Sequence, residues 1–291
     1  MKQTDYHVKG DSQYSPFSVL MAVYEKDDAS LFEQALQSVY NNTLEPDEVL
    51  VVEDGPVTTD LARIIEKFRA SKNLKTHRLD KNQGLAVALN EGLRCISNEL
   101  VFRADADDIN YPDRFAKQLP YLQRGFDLVG SNIVEAEPGG QITAIRKAPK
   151  TQEEIRKRVR SRNPFNHMTV AYRKSIVLAA GGYPNIPLKE DYALWAKMIQ
   201  NNLKMINLSN ILVKATAGDG LYKRRGGISY VASEITMQRH LIECGLQSKL
   251  GALAIGAARG LIFLLPSSLR ASVYRVFLRK KRPESSDLVT K

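Results

Sequence analysis

The sequence predicts an α/β protein with a mostly parallel, doubly wound central sheet flanked by helices. Short continuous apolar runs alternate with segments whose apolar residues recur at helical spacing, the β-α-β-α-β order that builds a parallel sheet. Acidic side chains stand at the ends of two of those runs, and in such sheets the carboxyl ends of the strands form the ligand-binding edge. The 291 residues, 43% hydrophobic and 25% charged, suit one large globular domain with a small appendage.

Residues 17–23 form an apolar run suited to a strand buried on both faces. Leu31, Phe32, Ala35, Leu36 and Val39 then mark one helical stripe, with Asp28 or Ser30 as its cap. A second strand, residues 48–52, runs into Glu53-Asp54-Gly55. A helix over 59–68, a strand over 74–79 and a helix over 84–96 follow, the last entered through Lys81-Asn82-Gln83-Gly84. Residues 100–104 make a fourth strand that leads directly into Asp105-Ala106-Asp107-Asp108.

Beyond this point the pattern is weaker. Residues 126–134 and 167–172 read as strands, and 152–160 as a charged helix. A short helix over 175–180 stops at Gly181-Gly182, and Glu190-Asp191 precedes a helix through Trp195 and Ile199. Residues 233–281 read as helical throughout.

Composition narrows the function classes. Forty-two Lys and Arg against 32 Asp and Glu give +10, which favours a polyanionic partner: nucleic acid, an anionic bilayer or a phosphate-bearing small molecule. The basic residues are dispersed and no nucleic-acid-binding motif occurs, so nucleic acid is the weakest of the three. Cys95 and Cys244 lie far apart, which argues against a disulfide framework or thiolate metal site and fits a reducing cytoplasm. The polar start lacks the apolar core of a signal peptide.

An Asp-x-Asp turn in isolation is as well explained by a solvated loop or a helix cap. Here two acidic clusters crown two strands of one inferred sheet and should open on one edge. Their mutual repulsion needs a cation or hydrogen-bond donors, and so they predict a pocket for a metal and a nucleotide.

The residues also resemble a known family, the family 2 glycosyltransferases with the GT-A fold. The resemblance rests on Ser18-Val-Leu-Met-Ala-Val-Tyr24, Ser38-Val-Tyr40, Val51-Val-Glu-Asp-Gly55, Asn82-Gln-Gly-Leu-Ala86, the signature from Arg103 to Phe115 with Gln118, Gly181-Gly-Tyr183 and Lys189-Glu-Asp-Tyr-Ala-Leu-Trp195. It implies donor contacts at Ala22, Tyr24, Glu25, Asp54, Arg78, Asn82, Gly84, Asp105, Ala106 and Asp107. It places Mn²⁺ or Mg²⁺ on Asp107 and Asp105, with His167 as a further candidate ligand or pocket wall. Asp191 is the implied base, with Glu190 orienting or replacing it. Arg224 and Arg225, in Tyr222-Lys-Arg-Arg-Gly-Gly-Ile-Ser229, suit a loop that closes on a diphosphate. Asp108, Asp113 and Arg114 read as structural.

Three parts are expected: a polar lead (1–15), a catalytic domain (16–230) and a helical extension (231–291). The catalytic domain divides into a donor half (16–115) and an acceptor half (116–230). The expected reaction is inverting, metal-dependent, non-processive transfer from a UDP-sugar, ahead of a GDP-sugar, to a lipid-linked glycan in surface polysaccharide assembly. Processive relatives carry Gln-x-x-Arg-Trp and several membrane helices, and neither occurs here. Residues 250–265 are too short to span a bilayer, but the surrounding basic residues suit amphipathic helices on the inner face of the cell membrane. A non-catalytic nucleotide-sugar binder and a nucleotidyltransferase are the competing classes.

Overall fold

A computed structural model describes residues 14–137, 139–216 and 226–266. In chain order the elements are β1 (Phe17–Val23), α1 (Ala29–Tyr40), β2 (Glu48–Glu53), α2 (Thr59–Ser71), β3 (Leu74–Arg78), α3 (Leu85–Cys95), β4 (Leu100–Arg103), β5 (Ile109–Asn110) and α4 (Arg114–Gln123). There follow β6 (Leu128–Ala136), β7 (Ile142–Arg146), α5 (Gln152–Arg158), a 3₁₀ turn (His167–Thr169), β8 (Ala171–Arg173), α6 (Lys174–Ala179), α7 (Glu190–Gln200), β9 (Met205–Thr216), α8 (Ile228–Glu243) and α9 (Lys249–Leu264).

One sheet runs in the order β3-β2-β1-β4-β8-β6-β9-β5, with β7 paired to β6. The β3-β2-β1-β4 half is parallel, so its strands end on one edge. Side chains alternate across it as the pleat requires. Phe17, Val19, Met21 and Val23 face α1, α2 and α4, where Phe17, Phe102 and Phe115 pack ring against ring at 4.9–5.3 Å. Leu20, Leu50 and Val52 face the other layer, built from α3, α5, α6, α7 and α8 around the fully buried Trp195.

Asp28 caps α1 by accepting the Leu31 N–H at 2.9 Å, which selects between the two cap candidates. The predicted strand over 167–172 is instead a 3₁₀ turn followed by β8, because Thr169 and Val170 donate back to the carbonyls of Asn166 and His167. The predicted continuous tail helix breaks at 244–248, where Gly245 takes a positive φ of 67° and Ser248 caps α9. Residues 267–281 of that prediction lie outside the described residues.

Arg114 and Gln118 hold the two halves of the sheet together. The fully buried Arg114 guanidinium donates to the Arg103 carbonyl at 2.7 Å and to the Asn110 side chain, and its Nε meets Gln118 Oε1 at 3.1 Å. Gln118 in turn donates to the carbonyls of Val129 (2.9 Å) and Thr169 (2.8 Å). Asp113 occupies the α4 cap position without a capping bond and pairs with Lys117 at 2.5 Å near the surface. Gln118→Leu leaves those buried carbonyls without a donor and should cost about 2–3 kcal/mol, read as a lower urea midpoint at unchanged m-value. Asp113→Ala should stay within about 1 kcal/mol.

Candidate active site

The parallel strands deliver their loops to one edge. At the end of β2 both oxygens of Asp54 accept loop amides, from Gln83 at 2.7 Å and Gly84 at 2.9 Å. Gly55 (φ 88°) lets that loop close, since a Cβ there would stand 2.5 Å from the Asn82 backbone nitrogen. Arg78 at the end of β3 is exposed and approaches Glu53 at 3.7 Å. Asn82 and Glu25 are exposed, and Ala22 and Tyr24 half-buried, on the same rim.

Beyond β4, carboxylate oxygens of Asp105, Asp107 and Asp108 lie within 4.8 Å of one another. Ala106 between them is buried, which anchors the turn and turns Asp107 outward to solvent. Asp108 is neither a helix cap nor solvated. One oxygen accepts the Thr216 N–H at 2.8 Å; the other is buried with no hydrogen-bond partner among the described residues. Burial, reinforced by Asp107, pushes Asp108 up to about 8. Beneath the cluster, Arg103 is 3% exposed and ion-paired with Asp105.

Asp27, for which sequence pattern suggested no role, joins this site. It accepts the Tyr24 N–H at 3.0 Å, and burial, with a smaller contribution from Asp107, pushes it up to about 6. The only sequence signal was its place just after an apolar strand.

The second carboxylate group stands in the first turn of α7. Asp191 accepts from Asn163 Nδ2 at 2.5 Å and from the Tyr192 N–H at 2.7 Å, and burial raises its pKa. Burial and then Asp191 push Glu190 up to about 7, opposed in part by Arg103. Arg103 thus exerts its charge on Asp107, Asp108 and Glu190. The Gly181-Gly182-Tyr183 segment braces the approach to α7. Asn90 of α3 accepts the Tyr183 N–H at 2.8 Å and donates to its carbonyl at 2.9 Å, where a Cβ on Gly182 would intrude.

His167 stands apart from the carboxylate cluster. Its Nε2 lies 3.2 Å from the Tyr183 hydroxyl, and its ring packs against Tyr183 and Trp195. Burial holds its pKa well below the usual imidazole range, so it is a neutral wall residue in an aromatic nest. It is not among the side chains whose ligand atoms gather within 4.8 Å of one another in the carboxylate turn. Arg224 and Arg225 lie outside the described residues.

A close-set carboxylate turn with a buried, unpartnered oxygen, on the carboxyl edge of a parallel sheet, is a fitting seat for a hard divalent cation. Comparison with known proteins shows the family. The family model described as Glycosyl transferase family 2 matches residues 18–179, and the chain belongs to that family. It is similar to an Escherichia coli UDP-Gal:alpha-D-GlcNAc-diphosphoundecaprenol beta-1,3-galactosyltransferase, at 40% identity over 91% of this chain and 97% of that protein. It is also similar to the amylovoran biosynthesis glycosyltransferase AmsE of Erwinia amylovora, at 34% identity over 86% of this chain and 91% of that protein. Among solved structures, Staphylococcus aureus TarS 1–349 in complex with UDP-GlcNAc superposes with a TM-score of 0.64 at 20% identity, covering 91% of this chain and 76% of that one. The fold is GT-A, and the protein is a glycosyltransferase.

Gly55 gives a test of the loop geometry. Gly55→Ala combines a positive φ with a backbone clash and should cost about 2–3 kcal/mol. Gly125→Ala, at φ 87° but with open space around it, should cost only about 1 kcal/mol. Urea unfolding of the pair separates the clash from the strain.

Proposed function

We propose that this glycosyltransferase is inverting, metal-dependent and non-processive, moving a sugar from a UDP-sugar, ahead of a GDP-sugar, to a hydroxyl of a lipid-linked glycan in surface polysaccharide assembly. The observation that carries this reading is the close-set Asp105–Asp108 turn at the carboxyl edge of the sheet, above a buried Arg103 whose charge also acts on Glu190. Asp105 and Asp107 would hold Mn²⁺ or Mg²⁺, with Asp108 behind them. When bound, the cation supplies Lewis-acid stabilisation of the departing diphosphate. Ala22, Tyr24, Glu25, Asp54, Arg78, Asn82, Gly84 and Ala106 frame the nucleotide. Asp54 keeps lone pairs free for this beyond the ones that hold the loop.

In the transfer, Asp191 accepts the proton of the acceptor hydroxyl. The acceptor oxygen bonds to the anomeric carbon, the bond from that carbon to the diphosphate oxygen breaks, and its electron pair leaves with the nucleotide. Attack opposite the leaving group inverts the anomeric configuration. Burial strengthens Asp191 as a base by disfavouring its charged form, and Asn163 and the Tyr192 amide fix its direction.

The lipid-linked acceptor draws on the E. coli relative, whose name specifies a diphosphoundecaprenol acceptor, and surface polysaccharide draws on the amylovoran relative. No described helix is long and apolar enough to cross a membrane. However, α9 leaves Leu250, Leu253, Leu261 and Leu264 exposed along one face. Such a stripe beside basic residues suits a helix lying on an anionic bilayer at the cytoplasmic face.

Nucleotide release from a panel of UDP- and GDP-sugars, with lipid-linked glycan and Mn²⁺ or Mg²⁺, tests the reading. One donor should be consumed, EDTA should stop the reaction, and Asp107→Ala and Asp191→Asn should each lower kcat by about 10²–10⁴-fold. Donor binding without release would favour a non-catalytic binder, and pyrophosphate release from a nucleotide and sugar phosphate a nucleotidyltransferase. NMR of the product should show inversion. Replacing the four exposed leucines of α9 by serine should weaken sedimentation with anionic vesicles while leaving turnover of a water-soluble acceptor unchanged.

A further inference from the structure

Glu234, on α8, is fully buried and lies far from the carboxylate clusters in sequence. Its Oε2 is approached by Lys189 Nζ at 3.2 Å and by Arg259 Nε at 3.4 Å, and its other oxygen accepts from Gln238 at 2.8 Å. Both cations also stand near the Phe263 ring, at 5.6 and 5.7 Å. Lys189 is 7% exposed, so its charge is largely removed from water. It is also the residue on which α7 starts: its carbonyl accepts the Ala193 N–H at 2.8 Å, and Glu190 and Asp191 follow it directly. The preceding Leu188 holds a φ of 66°, a left-handed conformation that an exposed leucine keeps only when its surroundings impose it.

A buried ion triad is costly to desolvate and gives stability no assured net gain over an apolar replacement, so its use lies in fixing one geometry. The geometry fixed here is the entry to the first turn of α7. We infer that Lys189 is a positioning residue for the Glu190–Asp191 pair, and that the α8–α9 hairpin is part of the catalytic apparatus because Glu234 and Arg259 hold Lys189 in place. The inference rests on Asp191 being the base, as proposed above. A second bond runs the same way: His240 of α8 sits 3.0 Å from the Ala193 carbonyl.

The charge of Lys189 also acts on Asp191, favouring its ionised form. The other groups bearing on Asp191 are Asn163, Arg146 of β7, Tyr183, Tyr192 and Glu190. Those bearing on Lys189 are Glu234, Arg259 and Asp191. Removing the lysine cation should therefore raise the pKa of the base, and removing Glu234, which keeps that cation charged and in place, should move it in the same direction by less.

The test is a pH–rate profile of the full chain with its UDP-sugar, metal and acceptor, for wild type, Lys189→Met, Lys189→Arg, Glu234→Gln and Asp191→Asn. Lys189→Met should lower kcat by at least about tenfold with donor KM within about twofold, and move the acid limb of kcat to higher pH. Glu234→Gln should also lower kcat and move the limb to higher pH by a smaller amount, and Lys189→Arg should restore the wild-type limb. A purely structural triad would lower the thermal midpoint in every variant and leave the limb in place. That result, with Asp191→Asn inactive, overturns the coupling alone. An active Asp191→Asn overturns the assignment of the base and the coupling with it. Should Lys189→Met fail to fold, the Glu234→Gln limb decides: unmoved, it overturns the inference.

Discussion

Desolvation of charge at the carboxyl edge of the sheet is the constraint on which the rest of this structure depends. Four parallel strands bring Asp27, Asp54, Asp105, Asp107 and Asp108 to one edge, and the first turn of α7 carries Glu190 and Asp191, the former within reach of the Arg103 charge. Most of these groups are wholly or partly withdrawn from water, and like charges gathered in that way oppose one another's ionisation. The chain answers with cations placed beneath them. Arg103, the last residue of β4, is 3% exposed, and Arg114, the first of α4, is fully buried. Burial, together with the charge of Arg103, pulls Arg114 down to about 9. Asp54 is answered differently, by backbone amides, and that choice shapes the loop after β3.

This balance separates what the sequence made legible from what it did not. Strands β1, β2 and β4 are buried on both faces and read as apolar runs, β4 as far as Arg103, so their ends, and the carboxylates on those ends, could be placed from pattern. Strand β9 could not. It runs through Met205–Thr216 with exposed and half-buried positions interspersed, and its pairing with β6 shifts register between Ser131 and Ile133, which blurs the alternation that identifies a strand. Strand β5 is too short for any period to show.

The site divides along the same line. Asp105, Asp107 and Asp191 were visible because motif and position coincide. Asp27 was not, because a polar turn after a strand looks solvated until neighbouring elements cover it. Arg103 was hidden within its strand, where an arginine reads as an interruption rather than as the floor of a pocket. His167 could not be decided from its type, which suits a ligand or a pocket wall; in the fold its ring packs against Tyr183 and Trp195 and burial keeps it neutral.

Helix α9 shows why burial of charge matters away from the reaction centre as well. Its outer face carries exposed leucines, while Arg259 and Phe263 on the inner side meet Glu234 and Lys189. Sequence pattern cannot separate those faces, since Arg259 simply looks like one more basic residue in a basic tail. In the fold it is 24% exposed, and its Nη1 donates to the Ser161 carbonyl at 3.1 Å. An exposed leucine face tolerates displacement; a buried triad, whose members lose solvation without full repayment when they separate, does not. Placing both on one helix makes the orientation of α9 against α7 and α8 a stiff coordinate. The distance from the leucine face to the carboxylates of α7 is thereby set by the fold.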